Sequence, residues 1–229
     1  VHIGAASIDD AGLAMLPETR SGFFATDVFA QAADKDLYAF DFGPDTATTI
    51  DRKAHFGDQQ KNGWRYRPEF REAAVNATPE GRNAIYVAQR VYAPTTRERE
   101  LSLGSDDGFR LFVDGKQVAE NRTDRAVAPD QDKVKLTLSA GQHLVTQKIV
   151  NSNGQGGFYQ RYLARADELT GPLVAMLLPE FAQQALAEPM REAWRLSYSP
   201  GYAQKKQRIA DLQQQIDRKS TRLNSSHRT

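Results

Sequence analysis

From about Leu37 to Leu163 the chain is built of short apolar runs rich in Val, Ile, Phe, Tyr and Thr, separated by Gly, Pro, Asn and Asp. That texture predicts strands, since side chains alternate across a pleated strand with period two. In AIYVAQRVY, Ile85, Val87 and Val91 fall on one side, and Tyr86, Ala88, Arg90 and Tyr92 on the other. One core face and one partly wet face are expected. The same alternation occurs at Leu101 and Leu103, at Phe109, Leu111 and Val113, and at Val134, Leu136 and Leu138. Turn signals at APTTRE, DDG, DG, SAGQ and SNGQGG recur at the spacing of an all-β sandwich. The fold expected is mainly β, a jelly-roll-like antiparallel β-sandwich over residues 24–166.

After Gly171-Pro172 the period changes. Met190, Trp194 and Tyr198 lie four apart, and Tyr202, Ile209, Leu212 and Ile216 lie seven, three and four apart. These spacings predict a short α-helical segment over 167–216, with two or three short helices punctuated by Pro179, Pro189 and Pro200 and then a longer one. The apolar stripe covers only about two heptads, too few for a long coiled coil, and reads as a helical linker. Residues 1–23 form a partial N-terminal segment. Asp217 to His227, DRKSTRLNSSH, resembles the in-frame translation of a sequencing-library adapter, so 217–229 is expected to be an adapter-derived tail that breaks the helical pattern.

That tail changes the charge. The whole chain has 30 Lys and Arg against 29 Asp and Glu, a net +1. Without 217–229, which carries four basic residues and one acidic, 26 basic residues face 28 acidic ones, a net −2. With both signs interspersed, there is no electrostatic footprint for a nucleic-acid backbone. The absence of cysteine removes disulfides, thiolate nucleophiles, zinc-cysteine sites and covalent haem attachment within these residues. The longest apolar run, Leu173 to Leu178, is far shorter than a membrane span, and VHIGAASIDD has neither a basic nor an apolar leader region.

Candidate chemistry is sparse. His2, His55, His143 and His227 are scattered without metal-ligand spacing, and His143 reads as an outward-facing or rim residue. No nucleophile elbow appears and no Ser-His-Asp set can be nominated, so a non-catalytic chain is expected. SNGQGG lacks the Lys and Ser/Thr of a phosphate cradle and reads as a hairpin loop. Asp114-Gly115, between RLFV and QVAE, is a strong type I′ hairpin signal. Asp106 and Asp107 in SDDG admit two readings. Either they share a Ca²⁺ at a sandwich rim, or Asp106 closes an Asx turn at a hairpin corner. Trp64, in NGWRYRP just after a loop, is the best candidate to stack on a sugar ring; Tyr66, Tyr92, Phe158, Tyr159 and Tyr162 are others, several of them expected in the core.

SDDGFRLFVDGKQVAEN and APDQDKVKLTLSAGQHLVTQKIVNSNGQGGFYQRY, with FDFGPD, WRYRPEF and IYVAQRVYAP, resemble the sandwich of galactose-binding-like and protective-antigen-type lectin-like domains. The match, from about Phe24 to Ile216, is closer to the module embedded in large bacterial surface proteins of the planctomycete cytochrome c type, in which SPGYAQKKQRIADLQQQID leads into a further domain. The lectin-like resemblance implies Asp106 and Asp107 as calcium and sugar ligands. In the closer family the same turn is scaffold, with no metal or sugar role established. The resemblance further implies a fragment of an extracytoplasmic protein whose haem would belong to a portion outside this chain. Its partners would be a glycan or, if the module is a spacer, only the flanking domains of the same chain.

Overall fold

The computed structural model describes residues 2–3, 6–7, 10–30, 35–57, 60–169, 191, 195, 199 and 201–226. The chain divides into two units, 13–168 on the one hand and 1–12 with 169–229 on the other. The first is mainly β. Its larger sheet has the strand order β10-β9-β12-β7-β4-β5, with β3 also on β7, where β3 is Thr19–Arg20, β4 Phe24–Ala25, β5 Arg65–Tyr66, β7 Asn83–Ala93, β9 Gly108–Val113, β10 Lys116–Asn121 and β12 Gly141–Asn151. The smaller sheet has the order β11-β8-β13-β6, from β6 (Asn76–Thr78), β8 (Arg97–Asp106), β11 (Asp132–Leu138) and β13 (Gly156–Tyr162). Every pairing is antiparallel. In the other unit, β1 (His2–Ile3) pairs with β2 (Ala6–Ser7), and α2 runs from Tyr202 to Ser226; α1 (Asp10–Met15) has residues in each unit.

Connectivity departs from a series of hairpins. Between β6 and β13 only the β9–β10 link stays within one sheet, turning at Asp114 and Gly115, both with positive φ as a type I′ turn requires. Every other link carries the chain from one sheet to the other. SNGQGG is therefore not a hairpin loop, because β12 and β13 lie in opposite sheets; nor is SDDG a hairpin corner, because β8 and β9 do too.

Strand alternation sorts side chains as expected between the sheets, where Val91, Leu101, Leu103, Phe109, Leu111, Leu136, Leu138 and Val145 form one cluster. Phe23, Phe70, Ile85, Val87, Ile149 and Phe158 form the next, with rings meeting edge to face. The other side of β7 is wet only toward its end, at the half-buried Arg90 and the exposed Tyr92. Tyr86 and Ala88 are buried with Leu144 and Val150 in a second core, closed by Phe29, Leu37, Phe42, Ile50 and Trp64 from the segment between β4 and β5. That segment has no period to read, yet it supplies aromatic rings enough to cover the sheet.

α2 confirms the longer helix and runs on through the stretch expected to break it. Nothing in 202–226 is a proline or glycine, and its Gln, Lys, Arg, Leu and Ser residues all tolerate helix. The shorter helices expected around Met190, Trp194 and Tyr198 lie outside the described residues.

Candidate functional site: two crossovers pinned by a carboxylate

β8 ends at Asp106 and β9 begins at Gly108, so the chain changes sheets across a single residue, Asp107. Glycine is required next, since any Cβ at Gly108 would collide with the Tyr38 hydroxyl and the Asn121 carbonyl. The Asp106–Asp107 peptide bond is cis. Asp107 is buried at 5 % exposure and held at both backbone and side chain. Its backbone N–H donates to the Val150 carbonyl at 2.9 Å, and its carbonyl accepts the Ser105 hydroxyl at 2.9 Å. Its carboxylate accepts the Arg125 amide at 3.2 Å on one oxygen, and on the other both the Ser152 amide at 2.8 Å and the Ser152 hydroxyl. Ser152 belongs to the β12–β13 crossover. Asp107 thus locks two inter-sheet crossings together and holds the segment after β10 against them.

Asp106 is different. It is partly exposed and has no ion pair among the described residues. Desolvation raises its pKa, as do the neighbouring charge of Asp107 and, further off, Asp124, against one favourable bond from the Val127 backbone. One guanidinium nitrogen of Arg125 is engaged by Asp132 and by the Ser105 hydroxyl at 3.3 Å. The rim therefore holds a carboxylate that is costly to ionise beside a second one that is anchored. Among the described residues no three of His, Cys, Asp and Glu converge. A metal here would take two carboxylates and complete its shell with hydroxyl, amide and carbonyl oxygens. An all-oxygen set of two negative charges suits a hard divalent cation such as Ca²⁺ and not a transition metal.

Trp64 is not part of this rim. β4, β7 and β12 stand between β5, which follows it directly, and β9, roughly 19 Å across the sheet at the usual strand spacing. Its ring is 3 % exposed and packs edge-on against Phe56 at 5.9 Å, so it closes the second core and offers no stacking face. Phe158, Tyr159 and Tyr162 are buried as well, whereas Tyr66 and Tyr92 are each 53 % exposed.

His143 is not outward-facing: it is buried at the rim, against the β9–β10 turn and the link between β11 and β12. Its Nδ1 lies 2.7 Å from Asp114 Oδ2, and its Nε2 lies 2.8 Å from the Ser139 carbonyl and 3.4 Å from the Ser139 hydroxyl. Asp, His and Ser in this order resemble a hydrolytic triad, but the chemistry is wrong. Both ring nitrogens face stronger acceptors, so the ring is held as a donor at both ends and cannot take a proton from the hydroxyl. Burial by itself would lower the pKa of His143, but the Ser139 carbonyl and Asp114 outweigh it and the net shift is upward. A raised folded pKa gives stability that is complete below the ordinary histidine range and is lost as pH climbs through the folded value. Urea unfolding midpoints are expected to fall from pH 6 to pH 8 and to lose that slope in His143→Gln; a wild-type slope unchanged in the variant would refute the assignment.

No protein-family model matches the chain, and no curated protein sequence matches it. Among solved structures it is similar to the PA14 domain of the antifreeze protein MpAFP, at 19% identity and TM-score 0.32, over 37% of this chain and 44% of that one. It is similar to the PA14 sugar-binding domain from an RTX adhesin, at 17% identity and TM-score 0.34, over 62% of this chain and 89% of that one. It is also similar to a GH31 alpha-xylosidase from Xanthomonas citri, at 26% identity and TM-score 0.28, over 38% of this chain and 10% of that one. The chain thus spans less than half the length of the first of these.

Proposed function

We propose that this chain is a non-catalytic carbohydrate-binding module of a larger extracytoplasmic protein, with its site at the rim where Asp106 and Asp107 meet the β12–β13 crossover. One observation carries the reading: Asp106 is held partly buried beside a second carboxylate with no cation paired to either among the described residues. A charge placed at such cost calls for a bound positive partner. Ca²⁺ fits the donors, with Asp106 as the principal ligand and Asp107 giving whatever lone pair its three hydrogen bonds leave free. When bound, the ion would offer open coordination positions to vicinal sugar hydroxyls. The chain's own part is rigidity, since Ser152, Arg125 and Ser105 fix Asp107 from three segments before any ligand arrives.

The test is thermal unfolding in EDTA and then in millimolar CaCl₂, followed by titration of a panel of neutral oligosaccharides under both conditions. An ion that binds only the folded chain at about a hundred times its Kd adds ~2.7 kcal/mol, a clear rise in midpoint. Asp106→Asn is expected to abolish that rise while leaving the EDTA midpoint the same or higher, because it removes a repelled charge. An unchanged midpoint with Ca²⁺ would leave the rim a structural joint.

A second reading has its own support. Ile209, Leu212 and Ile216 are 63%, 43% and 61% exposed along one face of α2. An apolar stripe of that kind fits a helix that seats against a flanking domain, so a spacer role is compatible with the rim site and does not compete with it.

A further inference from the structure

Across the larger sheet from the aspartate pair, beside the edge strand β5, a cleft of about 410 Å³ opens between the turn at 51–56 and residues 61–66. Its volume is in the range of small-ligand pockets. Arg52, His55, Lys61, Arg65 and Tyr66 line it above the buried Trp64. Three of these side chains carry permanent positive charge, in a chain whose net charge is only +1. Arg65 is met by Asp27 at 3.0 Å, an exposed pair of little strength. Arg52 and Lys61 have no carboxylate partner among the described residues.

The walls are fixed. Ala54 N–H bonds the Asp51 carbonyl at 3.1 Å, Lys53 N–H bonds the Asp51 carboxylate at 2.8 Å, and Phe56 and Asn62 form a β-bridge. The Asn62 side chain reaches the Val28 carbonyl at 3.0 Å. At Gly63 the two walls touch, for a Cβ there would stand 2.9 Å from the Ala54 carbonyl. Tyr66 is equally set. Its ring rests tilted on Phe24 at 5.5 Å and lies so close over Gly22 that a Cβ would come within 2.7 Å of it, yet half of the side chain faces solvent.

We infer that this cleft is a second, calcium-independent site, which takes a sugar ring bearing a carboxylate or sulfate. The anion lies on Arg52 and Lys61, and the apolar face of the ring stacks on Tyr66. Guanidinium and ammonium groups bind such anions through charge-assisted hydrogen bonds, and an exposed aromatic ring held in place costs little to order. A nucleic acid is the weaker fit. It would need a run of phosphate contacts along a basic track, whereas these cations are gathered in one cleft.

Titration calorimetry on the whole chain in EDTA tests this. The ligands are trigalacturonate, a sulfated heparin-derived tetrasaccharide, neutral maltotriose, inorganic sulfate and an oligothymidylate. At least one acidic saccharide is expected to bind, and the stronger of the two identifies the anion. Affinity should fall about tenfold in Arg52→Gln/Lys61→Gln, a loss comparable to one charged hydrogen bond. Tyr66→Ser should weaken the saccharides and leave sulfate unchanged. All these positions are exposed, and circular dichroism melting would verify that the variants fold. The inference is overturned if maltotriose, sulfate or the oligothymidylate binds as tightly as the acidic saccharides, if nothing binds, or if the double variant keeps full affinity. Because Ca²⁺ is excluded and Asp106 untouched, failure at the rim site and failure here are separate results.

Discussion

Glu18→Ala is expected to destabilise the sandwich by about 3 kcal/mol, toward the lower end for breaking a buried ion pair by removing one partner. The Glu18 side chain is fully buried against Arg97 at 3.2 Å and Arg99 at 2.8 Å, whose own side chains are 3% and 1% exposed. The Arg99 contact is an ion pair not aligned as a hydrogen bond. Two facts hold the expected loss below the extreme. Arg99 keeps Glu168 at 2.5 Å, and Arg97 keeps the Thr95 hydroxyl at 2.8 Å and carbonyls of the segment before β3. The carboxylate nonetheless binds the strand that precedes β4 to the first residues of β8, so its loss should also loosen residues 13–20. Urea unfolding would show a lower midpoint with an unchanged slope. A loss under about 1 kcal/mol would mean that the two arginines find full compensation without Glu18.

Lys148→Ala is expected to cost as much or more, ~3–5 kcal/mol, because it both opens a cavity and strands a buried acid. Lys148 lies on the side of β12 that faces the second core and is wholly inaccessible. Its ammonium donates to the Phe40 carbonyl at 2.6 Å and the Tyr38 carbonyl at 3.1 Å, stands 3.5 Å from Asp45, and sits over the rings of Phe42 and Tyr86. Tyr86 donates its hydroxyl to the other Asp45 oxygen at 2.5 Å. Burial lowers the Lys148 pKa, and burial likewise raises that of Asp45 despite the bonds from Tyr86 and Lys148. Both shifts disfavour the charged forms. The pair is therefore a poor source of net stability and acts as a clasp that directs the 36–50 segment onto the sheet. Lys148→Met/Asp45→Asn should recover most of the loss seen in either single variant, a coupling read from a double-mutant cycle. Additive losses would refute the clasp. Amide exchange over 36–50 should rise sharply in Lys148→Ala and far less in the pair.

Both clasps lie where the sequence is least legible. Strand alternation identifies β7, β8, β9 and β11, and Asp114-Gly115 identifies the hairpin, because those signals are local and repeat along a single strand. Residues 27–64 have no such period, and nothing in the sequence says that their rings cover Tyr86 and Ala88. A lysine on a strand facing a tyrosine side is normally read as solvated; only the carbonyls of Tyr38 and Phe40, over a hundred positions away, make it an interior residue. The aspartate pair could be located from SDDG, but its partition into an anchor and a free carboxylate depends on Ser152, which arrives from another strand link. Trp64 misled for the opposite reason. An indole after a loop can face either way, and here the Phe56 ring decided it. The basic cleft is not legible in the sequence because its residues are dispersed over fifteen positions and converge only when Phe56 bridges Asn62.

The rule that almost every link from β6 to β13 changes sheets also governs how the chain can be made. β8 is the second strand of its sheet to be synthesised, yet its two neighbours there are β11 and β13, which end far downstream. About 25 residues separate the end of β8 from the start of β11 and about 50 from the start of β13, so at ribosomal speeds β8 waits roughly 1–5 s with both edges open and roughly 3–10 s before the second is covered. Its partners in the final fold are almost all distant, which places the domain among slow folders of high contact order. Arg97, Glu98, Arg99 and Glu100 set four charges of alternating sign along the first half of that waiting strand. The residues that later clasp Glu18 thereby also keep a nascent edge from pairing with the wrong chain.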